Sequence, residues 1–372
     1  MTQTPLHGNG LHGDDLHDDG LHGSDLHGHE FLGRSAESQE LLSRGSALVD
    51  PVLHEVVGRL HPSMALVCRY HLGWDTEDSP ASLVRAGKRV RAALALLSVR
   101  SVGAPERFAA VSGAAVELVH QLSLLHDDVM DGDVERRGRP AAWARFGTGA
   151  AVLAGDSLVV QAVAAIVRAD APGARAATDE LIDAVEQMVA GQAEDLALEG
   201  QSPRDISTSR YVSMARGKTG ALFGCAAALG AVLAQAPPSV VRALRGAGSD
   251  LGVAFQILDD VLGLWGDSSV TGKPVGADLT RGKKTLPLVL AATADSADGR
   301  RVAVLLDSAP LDPADVPRVM RLLQATHSRQ RAEEAAAHHV ASAVAALDQA
   351  ELPCEARRQW GALIESLARR RR

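Results

Sequence analysis

From residue 38 onward, apolar positions recur at intervals of three and four. Leu41, Leu42, Leu48, Val49, Val52 and Leu53 form one such stripe, and the segments 92–99 and 109–125 form two more. That spacing puts side chains on one face of an α-helix, so each stretch reads as an amphipathic or buried helix. Strand-like alternation is nowhere sustained. Clusters of Gly, Pro, Asp and Ser at 72–80, 101–106, 170–174, 200–205, 236–239, 266–278 and 308–317 break the pattern as loops. The expectation is an all-α body of about ten to twelve helices spanning residues 38–372, with no linker rich enough to divide it.

The first 30 residues follow another rule. Leu-His pairs return every fifth residue, at Leu6-His7, Leu11-His12, Leu16-His17, Leu21-His22 and Leu26-His27, with Gly, Asp and Asn between them. A period of five fits neither helix nor strand, so residues 1–37 read as a disordered His/Asp/Gly-rich tail. Its six His and six acids also allow loose binding of Ni, Zn, Cu or a partner, at the entropic cost of ordering a flexible chain.

Composition narrows the picture. The chain has 372 residues, 46% hydrophobic and only 3% aromatic, which suits helices packed closely through Ala, Leu and Val. The net charge is -8, but the first 34 residues contain six acids and one Arg, leaving the body near -3 and disfavouring nucleic acid as a partner. Cys68, Cys225 and Cys354 are far apart and show no metal or disulfide spacing, as expected of packing thiols in a reducing cytoplasm. The longest apolar run, 221–236, is short and Gly-interrupted, so neither a signal peptide nor a membrane span is expected.

Two acidic segments carry candidate chemistry. In DDVMD at 127–131, Asp127 and Asp131 stand one helical turn apart on one face, with Asp128 beside them. The loop that follows bears Arg136, Arg137 and Arg139. Close carboxylates next to a basic loop offer both halves of a Mg²⁺–phosphate site, because Mg²⁺ takes oxygen ligands and shares substrate phosphates. In the second segment, 252–267, Gln256, Asp259, Asp260 and Asp267 interrupt an otherwise apolar helix, which is costly unless metal or partners compensate. A second basic, Gly-rich loop follows, with Lys273, Arg281, Lys283 and Lys284. Lys88 and Arg91 at i, i+3, and Lys218-Thr219, add further polar groups.

These motifs, in this order, resemble the trans-isoprenyl diphosphate synthases of the polyprenyl synthetase family over roughly residues 40 to 350. Asp127, Asp128, Asp131, Arg136, Arg137 and Gly138 match DDxxD followed by RRG; Gly87, Lys88 and Arg91 match GKxxR; His120 lies seven residues before the first Asp. The AGD at 154–156, Gly191-Gln192 with Asp195, Lys218-Thr219 and Phe255-Gln256 with Asp259-Asp260 resemble further family elements, as do Lys273, Asp278 and Lys283. Gly263 departs from the family by replacing the last Asp of the second motif.

The resemblance implies an isoprenoid synthase helical bundle around a central apolar cavity, acting as a homodimer. It implies Mg²⁺, about three ions once diphosphate is bound and replaceable by Mn²⁺, held by Asp127, Asp128, Asp131, Asp259 and Asp260. The allylic substrate (dimethylallyl, geranyl or farnesyl diphosphate) would meet Arg136, Lys218, Lys273 and Lys283, and isopentenyl diphosphate would meet Lys88, Arg91, His120 and Arg137. Thr219 and Gln256 would stabilise an allylic cation. Leu122 and Ser123, five and four residues before the first Asp, would form the floor that sets chain length. A medium-sized Leu122 favours geranylgeranyl diphosphate, with farnesyl and C25 products as neighbours. A class I terpene cyclase and a non-catalytic prenyltransferase subunit are the competing readings, set back by the Lys88–Arg91–His120 set and by the intact first motif.

Overall fold

The computed structural model describes residues 23–74, 89–266, 275–307 and 311–369. Ten helices carry the chain to the second acidic segment: α1 (Gly23–Gly58), α2 (Pro62–Leu72), α3 (Val90–Ser101), α4 (Arg107–Met130), α5 (Ala142–Phe146), α6 (Thr148–Val167), α7 (Ala174–Glu199), α8 (Thr208–Ala215), α9 (Ala221–Leu233) and α10 (Pro238–Trp265). Further helices follow, among them Leu286–Ala292, Ser328–Asp348 and Cys354–Ala368. Short pieces such as α5 and Ala277–Thr280 take the number of helical segments beyond the ten to twelve expected. Among the described residues the only strands are β1 (Glu135–Arg136) and β2 (Arg139–Pro140), a hairpin in the basic loop after α4.

The apolar pattern places α4 at the centre. Its Val116, Leu118 and Val119 are fully buried, and it packs against α6, α3, α1 and α9. Small side chains let α9, with Ala226, Ala227 and Ala228 buried, lie between α3, α7 and α10. A second apolar cluster of Tyr211, Ile257, Val261 and Leu286 surrounds the acidic end of α10. At the C-terminus the buried Trp360 closes the bundle, its indole N–H donating to Ser101 Oγ at 3.0 Å.

Two features bear on these expectations. Helix α1 begins at Gly23, inside the segment read as the tail. Tertiary packing starts later, with Glu37 paired to Arg358 at 3.1 Å and Ser38 buried. Most of the pentamer repeat lies outside the described residues. Second, α4 and α6 are both long and apolar enough to cross a membrane by length and composition alone. In α4, 72% of the apolar window is buried in the protein core, but in α6 only 33% is. The exposed apolar residues of α6, Leu153, Val160 and Val167, and of α7, Ile182, Val189 and Leu196, recur every seven residues and form a stripe along each helix.

Candidate active site

A cavity of about 670 Å³ opens between α3, α4, α7 and α10. Arg91, His120, Asp127, Lys218, Gln256 and Asp259 line it together, and so do Leu122, Ser123, Thr219, Arg136 and Arg137. Residues far apart in sequence thus meet on one surface that carries both acids and guanidinium groups.

The first acidic motif sits where α4 ends. Asp131 caps the helix, its N–H donating to Asp127 O at 2.8 Å, and its carboxylate accepts from Lys283 Nζ at 3.2 Å. Burial pushes the Asp127 carboxyl up to about 6, with Lys218 opposing the rise and Asp131 adding to it. Asp128 is 1% exposed and both its oxygens accept from Arg136 Nε, at 2.8 and 2.7 Å, which anchors the basic loop. That loop is a tight hairpin with Arg137 (φ 53°) and Gly138 (φ 72°) at its tip, the two consecutive positive φ angles of a type I′ turn. Tyr70 on α2 holds the hairpin down, donating to Pro140 O at 2.8 Å and stacking under Arg139 at 4.5 Å. Arg137 adopts its unfavourable φ beside the cavity, where backbone strain of this kind collects.

The second wall is a polar chain from a π-turn to α10. Residues Arg216–Gly220 form that turn, a local widening of the helix that presents Lys218 and Thr219 to the cavity. Gly191 makes this possible, because a Cβ there would lie 2.1 Å from Lys218 N. Lys218 Nζ donates to Asp195, and Thr219 Oγ1 donates to Gln256 Oε1 at 2.7 Å. Gln256 Nε2 in turn donates to Asp260 Oδ1 at 3.1 Å. Asp260 is 6% exposed and also accepts from the Tyr211 hydroxyl and from Leu286 N at 3.0 Å. Its oxygens are committed to the protein, and burial pushes its carboxyl up to about 7 despite these donors. Only Asp259 of the pair is exposed to the cavity.

Across the cavity lies a buried cationic group. Arg91 stacks over Phe223 at 4.8 Å, and burial pulls its guanidinium down to about 10 although Glu117 and Asp259 support its charge. Burial and neighbouring Arg136 lower Arg137, again with Glu117 opposing. Burial and the arginines Arg91, Arg137 and Arg136 hold His120 well below the usual imidazole range, so it is neutral at neutral pH. Among the described residues, Arg91 Nε and Arg89 Nη1 are buried donors without a hydrogen-bond acceptor, as suits a site awaiting an oxyanion. Sequence reasoning missed Arg89, held at φ 41° and paired with Asp50 at 2.7 Å, and Glu117, 2% exposed in the cavity wall. Glu117 was detectable by the rule used for the second motif, since an acid within an apolar helix needs a partner. Lys88 and Lys273 lie outside the described residues.

Among the described residues no three His, Cys, Asp or Glu side chains already converge on one metal position. The carboxylate oxygens of Asp127, Asp131 and Asp259 are the hard donors Mg²⁺ takes, alongside waters and substrate phosphates, and these residues would hold it. Leu122, 8% exposed, and Ser123, whose hydroxyl donates to His120 O at 2.9 Å, line the cavity one turn below Asp127.

An all-α bundle with carboxylates and buried guanidiniums lining one cavity suits a class of diphosphate-handling enzyme. Residues 77–323 match the Polyprenyl synthetase family model, and the chain belongs to that family. It is 41% identical over 312 residues to the geranylgeranyl diphosphate synthase of Mycobacterium tuberculosis, covering 83% of this chain and 89% of the relative. It is 37% identical over 308 residues to the (2E,6E)-farnesyl diphosphate synthase of Mycobacterium bovis, with 82% and 85% covered. The crystal structure of a polyprenyl synthetase from Streptomyces coelicolor A3(2) superposes with a TM-score of 0.83 at 37% identity, over 88% of this chain and 98% of that one.

Proposed function

We propose that the cavity joins isopentenyl diphosphate head to tail to an allylic diphosphate, as a short-chain prenyltransferase whose main product is geranylgeranyl diphosphate. The observation that carries this reading is one cavity lined both by the carboxylates Asp127 and Asp259 and by the guanidiniums Arg91 and Arg137, because two diphosphates held by different means are what chain elongation needs. Mg²⁺ held by Asp127, Asp131 and Asp259 would supply positive charge to the departing diphosphate. The chain's residues do the rest. Lys218 and Lys283, resting on Asp195 and Asp131, are within reach of an incoming diphosphate and exchange carboxylate for phosphate. Arg91 and Arg137, with the neutral ring of His120, hold isopentenyl diphosphate so that its double bond faces the allylic carbon.

The C–O bond breaks with its electron pair on the diphosphate, the isopentenyl double bond attacks the allylic cation, and the released diphosphate takes the proton. The Thr219–Gln256 pair turns amide and hydroxyl dipoles toward that cation. Apolar walls exclude water from it. The heptad-spaced stripes on α6 and α7 support a homodimer packed through this face, and three free cysteines, two of them buried, fit a reducing cytoplasm. Incubation with isopentenyl diphosphate, Mg²⁺ and each of dimethylallyl, geranyl and farnesyl diphosphate, with chromatography of the dephosphorylated products, tests the function. A C20 product is expected, and no elongation from any primer would sink the reading.

A further inference from the structure

We infer that Arg281 and Asp133, which match none of the family elements named above, are positioning residues: their ion pair holds Lys283 over the first acidic motif. The inference rests on the elongation reading above, in which Lys283 meets the allylic diphosphate.

Two helix ends meet here, and they are built alike. At the end of α4, Gly132 turns at φ 66° and Asp133 N donates to Asp128 O at 2.9 Å, a bond five residues back that closes the helix and fixes Asp133. The short helix Ala277–Thr280 ends in the same way, with Gly282 at φ 72° and Lys283 N donating to Asp278 O at 3.1 Å. The residue before each glycine then pairs with the residue after the other. Asp131 accepts from Lys283 Nζ at 3.2 Å. Arg281 grips Asp133 in fork geometry, Nη1 to Oδ2 at 3.0 Å and Nη2 to Oδ1 at 2.7 Å.

The two pairs have different fates. Lys283 exchanges Asp131 for phosphate when the allylic diphosphate enters, so that pair opens. Burial opposes ionisation of Lys283, yet Asp131, Asp278 and Asp195 hold its ammonium above the usual lysine range, so the lysine meets the ligand charged. Asp133 stays where it is, because its carbonyl also accepts from the Trp143 indole N–H at 2.8 Å. Arg281, two residues before Lys283, is therefore the tether that keeps the short helix against α4 once Lys283 has let go of Asp131.

Hydrogen–deuterium exchange of segment 276–285 in the full-length protein without substrate reads the tether itself. Steady-state kinetics with geranyl diphosphate, isopentenyl diphosphate and Mg²⁺ read its consequence. Arg281→Gln and Asp133→Asn should each speed exchange in that segment and raise KM for geranyl diphosphate about 5-fold, with KM for isopentenyl diphosphate unchanged. The double variant should lose no more than either single one, because both remove the same pair. Arg281→Lys, which keeps the charge but not the fork, should fall between wild type and Arg281→Gln. Unchanged exchange in the single variants, equal rises in both KM values, or additive losses in the double variant overturns the inference. A wild-type protein that elongates no primer overturns the elongation reading instead, and the exchange rates still decide whether the tether exists.

Discussion

Replacing Asp260 with Ala separates the two members of the second aspartate pair. In the folded protein Asp260 accepts from Tyr211 Oη, from Gln256 Nε2 at 3.1 Å and from Leu286 N at 3.0 Å, at 6% exposure. Asp260→Ala strands the buried Tyr211 hydroxyl and the Leu286 amide, at about 1–3 kcal/mol each. Gln256 lines the cavity and can turn to solvent, so it adds little. Against this stands relief from burying a carboxyl pushed up to about 7. A net loss of about 2–5 kcal/mol follows. Asp259 is exposed, and Asp259→Ala should change stability by no more than about 0.5 kcal/mol. Urea unfolding of both variants in the presence of a chelator, followed by circular dichroism, measures the difference. Equal midpoints for the two variants would refute the assignment of Asp260 to the protein scaffold and return it to the metal.

Leu122→Ala should deepen the cavity below Asp127 and lengthen the product, read by chromatography, and an unchanged product refutes the floor assignment. Asp127 has a folded value of about 6 against 3.8 unfolded, so the stability tied to its proton is full below about pH 4 and is lost as pH rises through about 6. Because Mg²⁺ needs the ionised form, calorimetric Mg²⁺ affinity with diphosphate present should fall as pH drops below about 6; a flat profile contradicts the shift. Val160→Glu places a charge in the middle of the exposed α6 stripe; for the proposed homodimer through that face, sedimentation should show a shift from dimer to monomer, and an unchanged dimer refutes that interface.

The helices and the two acidic segments are legible in sequence because a period near 3.6 and an acid inside an apolar helix are both local signals. What adjacency concealed is orientation. Consecutive helical residues point about 100° apart, so the two members of an Asp-Asp pair need not share an environment. Asp127 and Asp259 line the cavity, while Asp128 goes to Arg136 and Asp260 to Tyr211. The type I′ tip at Arg137-Gly138 and the π-turn at Lys218 escaped for a different reason: a residue with a Cβ at positive φ and a local widening of helical pitch have no periodic signature. Arg89 and Glu117 acquire their meaning only when α3 and α4 are packed side by side.

Under the proposed function one cavity holds two diphosphates by two means, guanidinium groups alone for one and carboxylates with metal for the other. Equilibrium dialysis of labelled isopentenyl diphosphate and of labelled geranyl diphosphate, each with Mg²⁺ and with a chelator, tests it directly. Isopentenyl diphosphate should bind with or without metal and lose its affinity in Arg91→Gln, whereas geranyl diphosphate should bind at the carboxylate side only with Mg²⁺ and lose that binding in Asp127→Asn. Equal metal dependence for the two ligands would contradict the claim.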